Sequence, residues 1–229
     1  MNDSSLIPLA GRARLAVALL VVTIVLDVVT IVFDAWEIST IDDFVRGTAT
    51  SAALDRSDSR QAAIGLVVFI AFVLTAIAFL RWFNAAYRNL APLGADGLRF
   101  GTGWSIGAWF VPVLNLWRPK QIADEIWRGS DPASSPAEGG ALHRSRGAAL
   151  VTVWWALWLA ASIGGNIAAR ALFSADTLDD YRYSAWVDIG VSLLDIAAAA
   201  LAIAVVRRIT ARQLERETGI EAAPLARAA

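Results

Sequence analysis

Four nearly continuous apolar stretches, at residues 15–35, 62–83, 148–169 and 186–206, dominate this chain of 229 residues. A helix rises about 1.5 Å per residue, so each stretch can cross a hydrocarbon core of roughly 30 Å. A lipid-embedded backbone must satisfy its own hydrogen bonds, and single segments of this length do so only as α-helices. The expected fold class is therefore an all-α integral membrane protein with four transmembrane helices, forming a single membrane domain over residues 1–229. Composition agrees, with 57% hydrophobic residues, 18% charged and a mean hydropathy of +0.53. A net charge of −1 argues against a nucleic-acid partner, and the lack of cysteine excludes disulfides and thiolate-held metals. No cofactor or metal is expected. The first stretch follows Arg12 and Arg14 but is longer than a signal-peptide core and lacks a small-x-small cleavage site. It reads as a retained signal anchor.

Charge sets the expected orientation, because cytoplasmic flanks carry the excess of Arg and Lys. With both termini inside, fifteen of the twenty cations and nine acids fall on the inner side. The two outer loops, 37–60 and 170–185, hold five cations and eight acids, and four acids remain inside the spans. A fifth apolar stretch, 101–117, is short for a span and carries Gly101, Gly103, Gly107 and Pro112. If it crossed, Arg118, Lys120, Arg128 and the basic C-tail would change sides. It is expected to be a re-entrant or interfacial segment on the cytoplasmic side. Eight of the ten Trp then lie in the inner half or its interface, while Trp36 and Trp186 mark the outer boundary.

Residues 119–128 read as an amphipathic helix with Ile122, Ile126 and Trp127 on one side, residues 130–140 as a flexible linker, and residues 207–229 as a cytoplasmic C-tail, helical until it frays after Gly219. Nineteen Arg against the single Lys120, with abundant Ala, suggest a high-GC bacterial genome. The expected location is the bacterial inner (plasma) membrane, multi-pass, with N- and C-termini cytoplasmic.

The central block is dense in unusual residues: Trp82, Ala86, Arg88, Asn89 and Leu90, then Gly103, Trp104, Gly107, Trp109, Phe110, Pro112, Asn115, Leu116 and Pro119, then Trp127. With the later WWALW (Trp154 to Trp158) and VRRITARQ (Val206 to Gln213), it resembles the bacterial membrane family catalogued as domain of unknown function 4328. The resemblance implies a multi-pass protein of the bacterial inner membrane and brings no activity with it.

Two groups of residues are candidates for chemistry. Asp27 and Asp34 lie in the first span, Asp188 and Asp195 in the last. Each pair is spaced by seven residues, two helical turns, which puts both carboxyls on one face. A carboxylate at the centre of a span costs about 2.5–3.5 kcal/mol on insertion scales, so such groups face a bundle interior or a wet cavity. With Asn166, Thr23, Thr30 and Ser192 they form either a proton, cation or small polar site, or a structural cluster of interhelical hydrogen bonds. The second group is the cytoplasmic-side motif Trp82, Arg88, Asn89, Trp104, Trp109, Pro112, Asn115, Arg118 and Pro119. Its guanidinium groups and indoles either hold an anionic lipid headgroup or other phosphate-bearing ligand, or anchor helices at the interface while the Asn side chains serve helix ends. Trp154 and Trp158 share a helix face toward this segment, and Trp155 is expected to point elsewhere, toward lipid.

Catalytic signatures are sparse. Gly103-Trp104-Ser105-Ile106-Gly107 fits GxSxG, but that nucleophile motif needs a strand-turn-helix elbow and a His base, and His143 is the single histidine. Its GxxxG spacing suits close helix packing better. The expected function is a non-enzymatic accessory, scaffolding or sensing role through the Arg/Trp cytoplasmic face, with membrane lipids, a protein partner or a homo-oligomer as partners. The alternative is a small oligomeric channel or proton-coupled transporter using the intramembrane Asp residues.

Overall fold

The computed structural model describes residues 6–132 and 148–227, and these form helices and turns without a strand. Four helices among the described residues are long and apolar enough to cross a membrane. They are α1 (Ala10–Val45), α2 (Ser51–Arg88), α5 (Ala148–Phe173) and α6 (Leu178–Arg227). Between α2 and α5 lie the single turn α3 (Trp104–Gly107), a 3-10 turn (Leu114–Leu116) and α4 (Arg118–Gly129). The protein is an all-α membrane protein.

The helices outrun the apolar stretches that announced them. With 36 residues, α1 is about 54 Å long, and α6, with 50, is about 75 Å. The loop expected at 37–60 shrinks to a turn at 46–50, where Gly47 takes φ +75° and both Thr48 and Ala49 N–H return to the Asp43 carbonyl. The loop expected at 170–185 shrinks to residues 174–177. There the Thr177 hydroxyl accepts from Asp180 N–H and the Asp180 carboxylate accepts from Thr177 N–H, a capping box that starts α6. Apolar length measures what lipid can cover, whereas capping chemistry decides where a helix stops. Likewise α6 does not stop at Gly219 but continues to Arg227. Gly inside a helix costs only about 1 kcal/mol relative to Ala. The expected linker at 130–140 lies, from residue 133 onward, outside the described residues, as does His143.

Two compact units are present. Unit 1 comprises Met1–Ala18, Ala76–Trp155 and Leu201–Ala229. Its core is aromatic and branched, with Trp82, Tyr87, Ile122, Ile126, Trp127 and Val206 fully buried. The amphipathic helix α4 presents Ile122, Ile126 and Trp127 to this core as its spacing predicts. Unit 2 comprises Leu19–Thr75 and Ala156–Ala200. Small residues carry its helix contacts: Ala71, Ala161, Ala168, Ala185 and Ala198 are buried, and a Cβ on Gly164 would come within 2.9 Å of Val191. Close backbone approach of this kind is how helices associate where lipid removes the hydrophobic drive.

Candidate functional site

In unit 1 the Trp-rich segment does not form a spanning helix. After α3 the chain continues as 3-10 turns, and Val113 takes φ +70°, ψ −51° while Leu114 N–H donates to the Pro112 carbonyl at 2.8 Å. This is a γ-turn of the strained sense, rare for any residue and more so for a β-branched one. It reverses the chain. The turn carries apolar side chains on its outside: Phe110 is 70% and Val113 63% exposed, with Ile106, Leu116 and Trp117 also exposed.

Aromatic rings hold the segment from behind. Trp109 makes edge contacts at 5.7 Å with Phe79, Phe83 and Trp155, and Trp154 packs on Phe79 at 5.8 Å. Trp155 therefore faces the segment and not lipid, and its indole N–H donates to the Leu116 carbonyl at 3.1 Å. Two indoles one residue apart, about 100° round a helix, both fit because the surface they meet is broad.

The polar members of the motif divide into two kinds. Some are buried clamps. Trp82 donates its indole N–H to Thr210 at 3.0 Å. Asn89 pairs with the Ile7 backbone, accepting its N–H at 2.8 Å and donating to its carbonyl at 3.0 Å, so it ties down the entry to α1 instead of capping α2. Gln213 receives a third bond from Asn89 and donates to the Ala86 carbonyl and the Ser130 hydroxyl, both at 2.9 Å. Pro119 is buried in the first turn of α4, where its missing N–H is no loss.

Others remain available. Arg81 and Arg88 are exposed. Arg118 stacks between Phe100 (4.8 Å) and Trp104 (5.4 Å), and its buried Nε has no hydrogen-bond partner. Pro112 is exposed as the first residue of the γ-turn, and Asn115 sits in the 3-10 turn with its N–H on the Val111 carbonyl. Ser105 is buried, donating to the Thr102 carbonyl at 2.7 Å and receiving Asn84 at 2.7 Å.

In unit 2 the four acids come together electrostatically. Asp27 interacts with Asp195 and Asp188, and Asp34 with Asp188 and Glu37. Asp27 and Asp34 are buried, and each has one carboxyl oxygen without an N–H or hydroxyl donor; the Asp34 and Asp188 carboxyls lie within hydrogen-bonding reach of each other, and the Thr30 hydroxyl has no partner. The other Asp34 oxygen accepts from Gln61 at 2.9 Å, and the same amide nitrogen donates to Glu37. Asn166 stands outside the group: it is exposed and its amide donates to the Ser162 carbonyl of its own helix. Thr23 bonds Thr75 at 3.1 Å, and Ser192 is buried.

Several residues escape any reading of the sequence. Glu37 begins the stretch expected as outer loop and Gln61 directly follows it, and only the helical extension brings them beside Asp34. Gln213 ends the VRRITARQ stretch, but that stretch does not reveal its partners, which come from two other segments, the end of α2 and the end of α4. Tyr87, Glu125 and Arg99 form another such group. Glu125 is buried, with the Tyr87 hydroxyl at 3.1 Å and Arg99 at 2.7 Å. A buried charge of this kind persists only when paired.

The family model described as Domain of unknown function (DUF4328) matches residues 46–211, which covers α2 through most of α6. Comparison with curated proteins and with solved structures finds no match.

Proposed function

The chain belongs to the family described as Domain of unknown function (DUF4328), and from that premise we propose a non-enzymatic accessory, scaffolding or sensing protein of the bacterial inner membrane. Its N- and C-termini are cytoplasmic, and its working surface is the Arg/Trp face built on the Trp-rich segment. The observation that carries this reading is the pairing of two features in unit 1. One is an outward apolar γ-turn bearing Phe110 and Val113. The other is Arg118, whose guanidinium stacks on Phe100 and Trp104. An apolar tip enters the acyl boundary while stacked guanidinium groups take anionic headgroup oxygens, and cationic side chains at the inner leaflet gain about 1 kcal/mol each from its surface charge. Ser105, engaged with Thr102 and Asn84, supports a packing role over a nucleophilic one.

Native mass spectrometry of protein extracted in mild detergent tests this. Co-purified anionic phospholipid should fall several-fold in the double variant Arg88→Ala, Arg118→Ala. Equal lipid retention would remove the reading. A second reading, a small oligomeric channel or proton-coupled transporter, is favoured by the Asp27 and Asp34 oxygens that have no N–H or hydroxyl donor. Proteoliposome flux that is indifferent to Asp27→Asn and Asp195→Asn eliminates it.

A further inference from the structure

The cluster of acids in unit 2 borders a cavity of about 620 Å³, well within the range of roughly 300–1,000 Å³ typical of small-molecule sites. Three carboxyls line it, Asp34 and Glu37 from α1 and Asp188 from α6. Among the described residues that line it, none is Arg, Lys or His. Apart from Gln61 and the Thr30, Tyr181 and Ser184 hydroxyls, the rest of the wall is apolar, including Ile64, Val68 and Leu172. The one amide at the wall, Gln61, spends its nitrogen on Asp34 and Glu37 together.

Two polar atoms on this wall, a carboxyl oxygen and a hydroxyl, are without a donor or partner of their own. Asp34 is only 3% exposed, its Oδ2 has no N–H or hydroxyl donor, and its carboxyl lies within hydrogen-bonding reach of that of Asp188; the half-buried Thr30 has a hydroxyl without a hydrogen-bond partner. A buried polar atom without a partner is costly, so the site favours whatever brings donors to it. The lining is acidic and holds no basic side chain among the described residues, which disfavours an anion. Among the described residues no group of three or more acids or histidines is arranged to hold a metal ion. The volume also far exceeds a bare ion.

We propose that this cavity binds a small organic cation, an ammonium or amidinium group carried on a compact apolar body. The cationic head donates to Asp34 Oδ2 and is neutralised by Asp34 and Asp188. The apolar body lies against Ile64, Val68 and Leu172. The backbone of Gly65 and Gly165 leaves room for it, since a Cβ at either position would meet nothing within 4 Å. Binding is independent of the lipid-facing role assigned to unit 1 and requires no transport.

Isothermal titration of the full chain in zwitterionic-lipid nanodiscs, with empty discs subtracted, tests the site. The probe is phenethylammonium chloride, compared with its neutral analogue 2-phenylethanol and with sodium chloride. Saturable binding of the ammonium is expected, at least tenfold tighter than the alcohol, and at least tenfold weaker in Asp34→Asn and Asp188→Asn. Gly165→Leu keeps every carboxyl and fills the cavity, so it should also abolish binding, while Arg88→Ala should leave it unchanged. Absence of saturable heat, equal affinity for the alcohol, the same response to sodium, or undiminished binding in Gly165→Leu would each overturn the proposal.

Discussion

Replacing Gln213 with Leu removes one amide and unties three segments at once. The side chain is 3% exposed, so water cannot take over its bonds. Its Nε2 donates to the Ala86 carbonyl and the Ser130 hydroxyl, each at 2.9 Å, and its Oε1 accepts from Asn89 at 3.3 Å. The Ala86 bond matters most. At the end of α2 the Leu90 N–H turns to the Tyr87 carbonyl, so Gln213 supplies the donor that Ala86 would otherwise lack. Leu has nearly the same volume, which keeps the cavity contribution small.

Each buried group left without a partner costs about 1–3 kcal/mol. Ala86 loses its side-chain donor, while Asn89 keeps its pairing with Ile7, so the sum lies at about 2–5 kcal/mol. For a chain of this size about 1 kcal/mol shifts the midpoint by roughly 2–4 °C, so a fall on the order of 10 °C is expected. Thermal unfolding of the detergent-solubilised protein, followed by intrinsic fluorescence, reads this directly, because Trp82 and Trp127 are fully buried in the same unit. Glu215→Ala, at an exposed position two residues on, is the control and should stay within about 0.5 kcal/mol of wild type. A midpoint for Gln213→Leu within 2 °C of wild type, with 2 °C taken as roughly the shift of a single half-kcal/mol change, would refute the reasoning.

Three further outcomes follow from the same structure. Val113→Gly removes the Cβ from the strained γ-turn and should leave stability unchanged or raise it by about 1 kcal/mol in the same melt, despite the lost side chain; a fall of that size would contradict the strain. Gly164→Ala should destabilise, by about 1–3 kcal/mol, because its Cβ would sit 2.9 Å from Val191, whereas Gly165→Ala, facing open space, should stabilise by about 0.5–1 kcal/mol through helix propensity. Orientation is open to single-cysteine labelling, since the chain has no cysteine. Thr48→Cys should react with an impermeant maleimide on intact spheroplasts, and Glu215→Cys only after permeabilisation, with the reverse pattern inverting the proposed topology.

The four membrane helices and α4 were legible in the chain, because apolar length and 3.6-residue periodicity are local quantities that any neighbouring structure must respect. The pairing of acids was legible for a related reason. Spacing by seven puts Asp27 and Asp34 on one face of α1, and Asp188 and Asp195 on one face of α6, whatever surrounds them. Placement of Asn166 was not, since its helical phase does not reveal that its amide folds back on Ser162. The likeness of the central Trp, Arg and Asn block to its family was visible as well, although not which of those residues are buried clamps and which stay exposed.

Only the tertiary structure decided what the polar side chains do. Asn89 reads as a helix-end residue until Ile7, 82 positions away, is brought against it. Gln213 reads only as the end of the VRRITARQ stretch in the C-tail until Ala86, Asn89 and Ser130 surround it. Trp155 reads as lipid-facing until the γ-turn delivers the Leu116 carbonyl. The physical reason is common to all three. Apolar burial is non-directional and follows from the pattern along one helix, whereas a hydrogen bond needs a particular atom at about 3 Å, and chain segments remote in sequence supply that atom.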